Sequence, residues 1–151
     1  MKKISVILAI MALFTTTSAL AIPEDQVAVN VKTAFNANFS KATQVKWDKV
    51  EEFYFATFIL NEKEVNVAYN ESGELVGSSE ILTLDRMPLL TQIALRERYS
   101  NYNHSPQAYR ITCNGETFYY VTAVNDKRIL KLKCTNEGYI SVVEKTKLTK
   151  S

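Results

Sequence analysis

Few side chains in this sequence are suited to acid-base or metal chemistry. The single histidine, His104, follows Asn103 in a segment rich in Asn, Ser and Pro, which predicts a solvent-exposed loop residue. One imidazole without a Cys/His cluster cannot furnish an ordinary zinc site. Glu51 and Glu52 are adjacent carboxylates beside a predicted turn, a position typical of a solvated tip. The sequence also lacks G-x-S-x-G and glycine-rich phosphate or dinucleotide motifs, so it predicts no catalytic residue, no metal and no cofactor.

Cys113 and Cys134 are the only cysteines, and both lie in the second half of the chain. In an exported protein they could form a disulfide that closes about 20 residues and contributes about 3 kcal/mol. The strands predicted below place a third strand between them, which separates them by about 9–10 Å unless a bulge intervenes. A disulfide, two buried thiols and a redox pair therefore all remain open.

Aromatic side chains offer recognition chemistry instead. Residues 53–60 and 117–124 alternate like strands, so one row of each points towards a helix and the other points away. If Trp47 and Tyr54 face the helix, together with Val45, Ala56, Phe58 and Leu60, the outward row predicted to bind a partner comprises Phe53, Phe55, Thr57, Phe118, Tyr120 and Thr122. By the same alternation, the polar rim of this surface comprises Glu64, Asn66, Lys131 and Lys133. Four outward rings would form an apolar patch of several hundred Å².

Two alternatives to this aromatic surface stay open. The rings could be ordinary core or cross-strand residues, because Phe and Tyr are favoured in strands in any case. A register error of one residue would exchange the two faces, in which case Tyr54 and Tyr119 would point outward.

The N-terminal residues have the pattern of a secretory signal peptide. Lys2 and Lys3 precede an apolar stretch from Ile4 to Phe14, and Ala19-Leu20-Ala21 is a small-x-small cleavage signal. We therefore expect a signal peptide at 1–21, cleavage near Ala21, and a mature domain at 22–151 in the periplasm or outside the cell. No later apolar run is long enough to span a bilayer, so membrane insertion after cleavage is not expected.

Composition excludes several classes of protein. The chain has 151 residues, 46% of them hydrophobic and 23% charged, which excludes disordered and collagen-like sequences. Without residues 1–21, the 18 Lys and Arg residues fall to 16 and equal the 16 Asp and Glu residues. A balanced chain without basic runs gives no sign of nucleic-acid binding.

The elements that must position these side chains form two similar series. Residues 25–39 have helical spacing with Val31 and Phe35 on the apolar side, and Asp25 is placed to cap the helix. Strands follow at about 44–50, 53–60, 63–69 and 74–81. A second helix opens with Pro88, has Leu90 and Ile93 as its apolar side, and ends near Tyr99. Strands then follow at about 108–113, 117–124, 128–134 and 139–145.

The two series also match residue by residue. Phe53-Tyr54-Phe55-Ala56-Thr57 aligns with Phe118-Tyr119-Tyr120-Val121-Thr122 at an offset of 65, and the same offset pairs Gly73 with Gly138. The sequence thus predicts an α+β fold in which a tandem αββββ repeat, at about 25–82 and 85–147, forms one curved antiparallel sheet with two helices packed on one face. Val31, Phe35, Phe39, Trp47, Leu90 and Ile93 are its predicted core.

These motifs resemble the β-lactamase-inhibitor-like, PepSY-like family of exported bacterial proteins. The likeness rests on the first helix with its Phe35-x-x-x-Phe39 end, on Val45-x-Trp47, on the aromatic strand, and on Pro88. The second half departs from the pattern, with Cys113 at the place of Trp47. The resemblance implies a non-enzymatic exported protein that uses its open sheet face on a protein or peptide partner, as an enzyme inhibitor or a peptide-binding module.

Three other functional hypotheses remain open at this stage. The fold could be a cup that binds a small molecule or acts as an enzyme, with a deep polar pocket between helices and sheet. It could have a structural role in the envelope. The aromatic face could also be the seam of a homodimer.

Overall fold

The computed structural model describes residues 20–149 as two helices and nine strands. Helix α1 is Val29–Asn38 and helix α2 is Leu89–Arg98, and each follows a 3-10 turn, at Glu24–Gln26 and Leu84–Arg86. The strands are β1 Leu20–Ile22, β2 Thr43–Val50, β3 Phe53–Leu60, β4 Lys63–Asn70, β5 Leu75–Thr83, β6 Asn103–Cys113, β7 Glu116–Val124, β8 Arg128–Cys134 and β9 Ile140–Lys147. They form one antiparallel sheet in chain order, which confirms the predicted α+β fold.

The described residues divide into two compact units. The first comprises 20–80 and 112–115, and the second comprises 81–111 and 116–149. Within these residues, neither helix has the length and hydrophobicity needed to cross a membrane. Nearly all of the predicted signal peptide lies outside the described residues. Its last two residues form part of β1, which pairs with β2 and was not predicted.

The core of the first unit lies between α1 and one face of its strands. Val31 and Phe35 of α1 are buried against Trp47, Tyr54 and other apolar side chains of this face. The Phe35 ring lies 5.1 Å from the rings of both Trp47 and Phe58, in edge-to-face geometry. The helix-facing rows predicted for β2 and β3 are confirmed for Trp47, Tyr54, Ala56, Phe58 and Leu60.

Two predictions at the ends of these elements are wrong. The helix begins at Val29 rather than at 25, and Asp25 lies in the preceding 3-10 turn, so it does not cap α1. Val45 is 37% exposed instead of facing the helix. The pairing of β2 with β3 shifts between Thr43 and Lys46, where Gln44 has a φ of 55°. This irregularity removes Val45 from the regular alternation.

Helix α2 packs on the strands of the second unit through a different side from the one predicted by its most hydrophobic residues. Thr91 and Leu95 are its buried residues, whereas Leu90 is 58% exposed and Ile93 39% exposed. The Thr91 hydroxyl donates to the carbonyl oxygen of Thr135 at 2.6 Å, which satisfies its buried polar group. The prediction that Leu90 and Ile93 belong to the core is therefore wrong.

One detailed contact occurs separately within each unit. A Cβ on Gly73, which has a φ of +83°, would lie 2.6 Å from the carbonyl oxygen of Asn30 in α1. A Cβ on Gly138, with a φ of +87°, would lie 2.8 Å from the carbonyl oxygen of Leu90 in α2. In both units the tight turn after the third strand of the series therefore presses on the second residue of the helix. The proposal of a tandem repeat predicts this kind of correspondence.

Candidate binding face

The far face is our name for the side of the strands opposite the helix within each unit. In the first unit, the pairing register aligns Phe55 with Asp48, Ala68 and Gly77 across four strands. The next row aligns Thr57 with Lys46, Asn66 and Ser79. The Thr57 hydroxyl is hydrogen-bonded to the Asn66 side-chain oxygen. This unit therefore presents a polar row beside an aromatic one.

The aromatic row of the first unit is much less exposed than expected. Phe53 is 4% exposed and Phe55 is 1% exposed. The Phe55 side chain borders a shallow depression together with Ala68 and Gly77, and this depression encloses no volume that a water molecule could occupy. Neither ring belongs to the core cluster beneath α1. Phe53 and Phe55 therefore lie opposite the helix but are not exposed, and their part in a binding patch stays a prediction.

In the second unit the far face combines aromatic and charged groups. Tyr120 aligns with Lys133 and Ser141, and the next row aligns Thr122 with Lys131 and Glu144. Tyr120 lies on the far face but is only 8% exposed, and burial raises the pKa of its phenol. Phe118, Thr122 and both lysines are half-buried.

The two lysines of this face are held in place by neighbouring side chains. The Lys133 ammonium lies 3.6 Å from the centre of the Phe118 ring, a cation–π contact. The Lys131 ammonium lies 2.7 Å from a carboxylate oxygen of Glu144. Lysine side chains normally lose considerable conformational entropy when a partner binds. Because these two are already restrained, part of that cost is met in the unbound protein.

The sequence indicates which residues share this face but not the contacts that organise it. Alternation predicts Lys133 in a polar rim, whereas its ammonium lies directly over an aromatic ring. The alternation of β7 and β8 already places Lys133 and Phe118 on the same side of neighbouring strands, where diagonal neighbours can touch. Glu144 could not be placed because the pairing of β8 with β9 shifts between Lys131 and Leu132.

Cys113 and Cys134 are buried thiols, so the disulfide considered from the sequence is not formed. Cys134 is fully buried in the core beneath α2, and this burial raises the pKa of its thiol to about 12. The Asn114 side-chain amide donates to the Cys113 sulfur at 3.4 Å. In the order of the sheet, β7 lies between the strands that carry the two cysteines, which agrees with the geometric objection to a disulfide.

His104 is also placed differently from its prediction. It lies in β6, which starts at Asn103 and includes Pro106, rather than in a loop. It is half-buried, and its buried Nε2 atom has no hydrogen-bond partner among residues 20–149. Burial lowers the pKa of the imidazole from its ordinary 6.5, because the charged form is the one that loses hydration.

This lowered pKa predicts a pH dependence of stability. Below pH 6.5 the unfolded chain binds a proton at His104 more readily than the folded protein does. The free energy of unfolding should therefore keep its highest value above pH 6.5 and should decrease as the pH falls through 6.5. Urea unfolding across this range measures the effect. His104→Gln should show a smaller decrease than the wild type, and equal decreases would contradict the assignment.

Within residues 20–149, no group of three or more His, Cys, Asp or Glu side chains is arranged to hold a metal ion. The chemistry that the far face offers is recognition: hydroxyls, an amide, two ammonium groups and partly covered rings.

Comparison with known proteins shows the fold. No family model matches the chain, and no curated protein matches it. Among solved structures, a BLIP-like (β-lactamase-inhibitor-like) protein from Bacteroides fragilis is 17% identical and has a TM-score of 0.67, over 86% of this chain and 90% of that one. The chain has a BLIP-like fold. A DUF2874 family protein from Bacteroides ovatus is 22% identical with a TM-score of 0.68, over 79% and 86% of the two chains.

A third solved structure bears on location. A protein from Bacteroides eggerthii, provisionally described as periplasmic, is 16% identical and has a TM-score of 0.69, over 80% of this chain and 88% of that one. Identities this low establish the BLIP-like fold alone.

Proposed function

We propose that this protein is an exported, non-enzymatic binding protein whose far face contacts another protein. The observation that carries the proposal is the far face of the second unit. There, Lys133 lies over Phe118, Lys131 pairs with Glu144, and Tyr120 is packed beside them. Aromatic residues with a polar surround are the usual composition of a protein-binding surface.

Export is part of the proposal and has two supports. The sequence begins with the pattern of a signal peptide, and one structure of the same fold is provisionally described as periplasmic. Cleavage near Ala21 would remove Leu20 and Ala21 from β1 and leave Ile22. The BLIP-like name of another structure favours an inhibitor of an enzyme among the binding functions.

The residues of this surface have two different roles in the proposal. Thr57, Phe118, Thr122 and Lys131 are half-buried and remain available to a partner. Phe53, Phe55 and Tyr120 lie on the same side of their strands but are almost covered. The shallow depression beside Phe55 also favours contact with a broad surface over insertion of a small molecule.

Site-specific photo-crosslinking in the native envelope tests this proposal. A photoreactive residue replaces Thr122 on the far face of the second unit, or Thr33 on the exposed side of α1 as a matched control. We expect a discrete protein adduct from position 122, identified by mass spectrometry, and none from position 33. Adducts of the same proteins from both positions would contradict the proposal.

A second variant connects the adduct to the surface. Lys131→Ala should weaken the position-122 adduct severalfold, because it removes the restrained cation beside Thr122. Lys32→Ala in α1 provides the matched control and should leave the adduct unchanged. Circular dichroism establishes that both variants are folded, and an unchanged adduct in the folded Lys131→Ala protein would exclude this surface.

A further inference from the structure

The mature chain is neutral overall but strongly polarised. Residues 22–80 contain 5 Lys and 10 Asp or Glu, a formal charge of −5, whereas residues 81–151 contain 11 Lys or Arg and 6 Asp or Glu, a formal charge of +5. Residues 112–115 carry no charge, so this division follows the two compact units. Overall composition conceals the asymmetry because the two charges cancel.

Four of these eleven cationic residues lie at one corner of the second unit. The cationic corner comprises Lys127, Arg128, Lys145 and Lys147. Arg128 and Lys147 are direct cross-strand partners in the pairing of β8 with β9. Like charges in this arrangement destabilise a sheet. Within residues 20–149, none of the four side chains forms an ion pair; Asp126 is the one acidic residue in the adjoining turn.

Backbone contacts fix the geometry of the cationic corner. The Asn125 side-chain oxygen accepts hydrogen bonds from the amides of Lys127 and Arg128 at 3.0 and 2.9 Å. The amide of Leu148 donates to the carbonyl oxygen of Lys127 at 2.9 Å, which ties the chain after β9 to the turn between β7 and β8. The repulsion is therefore held in place by the fold, and an approaching anion would relieve it.

The first unit carries a matching surface of opposite sign. The acidic corner comprises Glu51, Glu52, Glu71 and Glu74. These residues lie in the β2–β3 and β4–β5 turns, which the pairing of Phe53 with Val50 and Asn70 brings to the same end of the strands. All four are exposed, and within residues 20–149 the ion pair at this corner joins Lys49 to Glu71 at 3.7 Å.

We propose that the cationic corner binds the acidic corner of a second copy of this chain. Four cations face four carboxylates, and the zero net charge of the mature protein means that no long-range repulsion keeps two copies apart. The contact joins the cationic corner of one copy to the acidic corner of the other. This association does not depend on the far face.

Sedimentation velocity of the mature protein tests the proposal by salt dependence. At about 0.01 M salt, where charges act over about 30 Å, the average mass should increase with protein concentration to roughly twice that of the monomer or more. At about 1 M salt, where this range is about 3 Å, the mass should return to that of the monomer. A protein that stays monomeric at low salt overturns the proposal.

Two variants of equal net charge locate the contact. The corner variant neutralises both corners through Lys127→Gln, Lys145→Gln, Lys147→Gln, Glu51→Gln, Glu52→Gln and Glu74→Gln. The control variant neutralises the same number of exposed charges elsewhere through Arg86→Gln, Arg96→Gln, Arg98→Gln, Glu24→Gln, Glu62→Gln and Glu64→Gln. We expect a monomeric corner variant and a control that still associates. Association of the corner variant, or loss of association in both proteins, contradicts the proposed contact.

Binding of the cationic corner to an anionic lipid surface is the alternative outcome. Vesicles rich in phosphatidylglycerol are added to the wild type at low salt and pelleted. If the protein binds them through the cationic corner and shows no self-association, the occupant of the corner is an anionic lipid and the self-association proposal is wrong.

Discussion

Replacing Phe35 by alanine should lower the free energy of unfolding by about 4 kcal/mol, since truncation of a buried phenylalanine costs about 3–5 kcal/mol. Phe35 is 4% exposed, and its ring contacts the rings of Trp47 and Phe58 with centroids 5.1 Å apart. The substitution therefore removes burial and two edge-to-face contacts at once and leaves a cavity between α1 and the sheet. Urea unfolding followed by tryptophan fluorescence measures the loss, because Trp47 lies in this cluster.

Val29→Ala is the matched control on the same helix. Val29 is 72% exposed, so its truncation should change the free energy of unfolding by less than about 0.5 kcal/mol. Similar losses in the two variants would mean that the helix packs through a different side.

Gly73→Ala should lower the free energy of unfolding by about 3 kcal/mol, of which about 1 kcal/mol or more comes from placing a side chain at positive φ and the rest from displacement of packed backbone. The added Cβ would lie 2.6 Å from the carbonyl oxygen of Asn30. This oxygen belongs to the helix backbone, so it cannot move aside as a flexible side chain would. The turn must therefore move away from α1. Thermal and urea unfolding report the effect.

Gly115→Ala separates these two contributions. Gly115 has a φ of +79°, but a Cβ there would meet no atom within 4 Å. Its substitution should cost only the conformational part, about 1 kcal/mol. If both variants lose the same amount, the close approach of the Gly73 turn to α1 contributes nothing to stability.

Much of the sheet could be predicted because side-chain alternation is a short-range property. The bounds predicted for 53–60 and 128–134 agree with β3 and β8, and the helix-facing row of β3 is confirmed. The exceptions are local. At Val45 an irregular residue interrupts the alternation, and at 103–107 the Asn, Ser and Pro residues suggested a loop where the chain is extended.

Helix α2 shows why the core could be predicted only in part. Leucine and isoleucine are more hydrophobic than threonine, so Leu90 and Ile93 were expected inside. The helix instead buries Thr91, whose hydroxyl is satisfied by the Thr135 carbonyl oxygen. That acceptor lies 44 residues further along the chain, and its position could not be read from the helix itself.

The candidate far face was predicted as a set of positions, and its binding role stays a prediction. Alternation gives the side of the sheet on which a residue lies, but it does not give the residue's exposure. Phe55 lies opposite the helix and is nevertheless only 1% exposed. Exposure depends on groups distant in the sequence, which periodicity does not place.

The sheet joins its nine strands in chain order, and the consequence concerns how it forms. Each strand after the first pairs with the one synthesised just before it, so loop closure involves short distances along the polypeptide. The sheet can therefore grow strand by strand in the order of synthesis, with each new strand pairing with the edge left by the strand before it. Growth in this order exposes one new strand edge at a time beside the edge of β1.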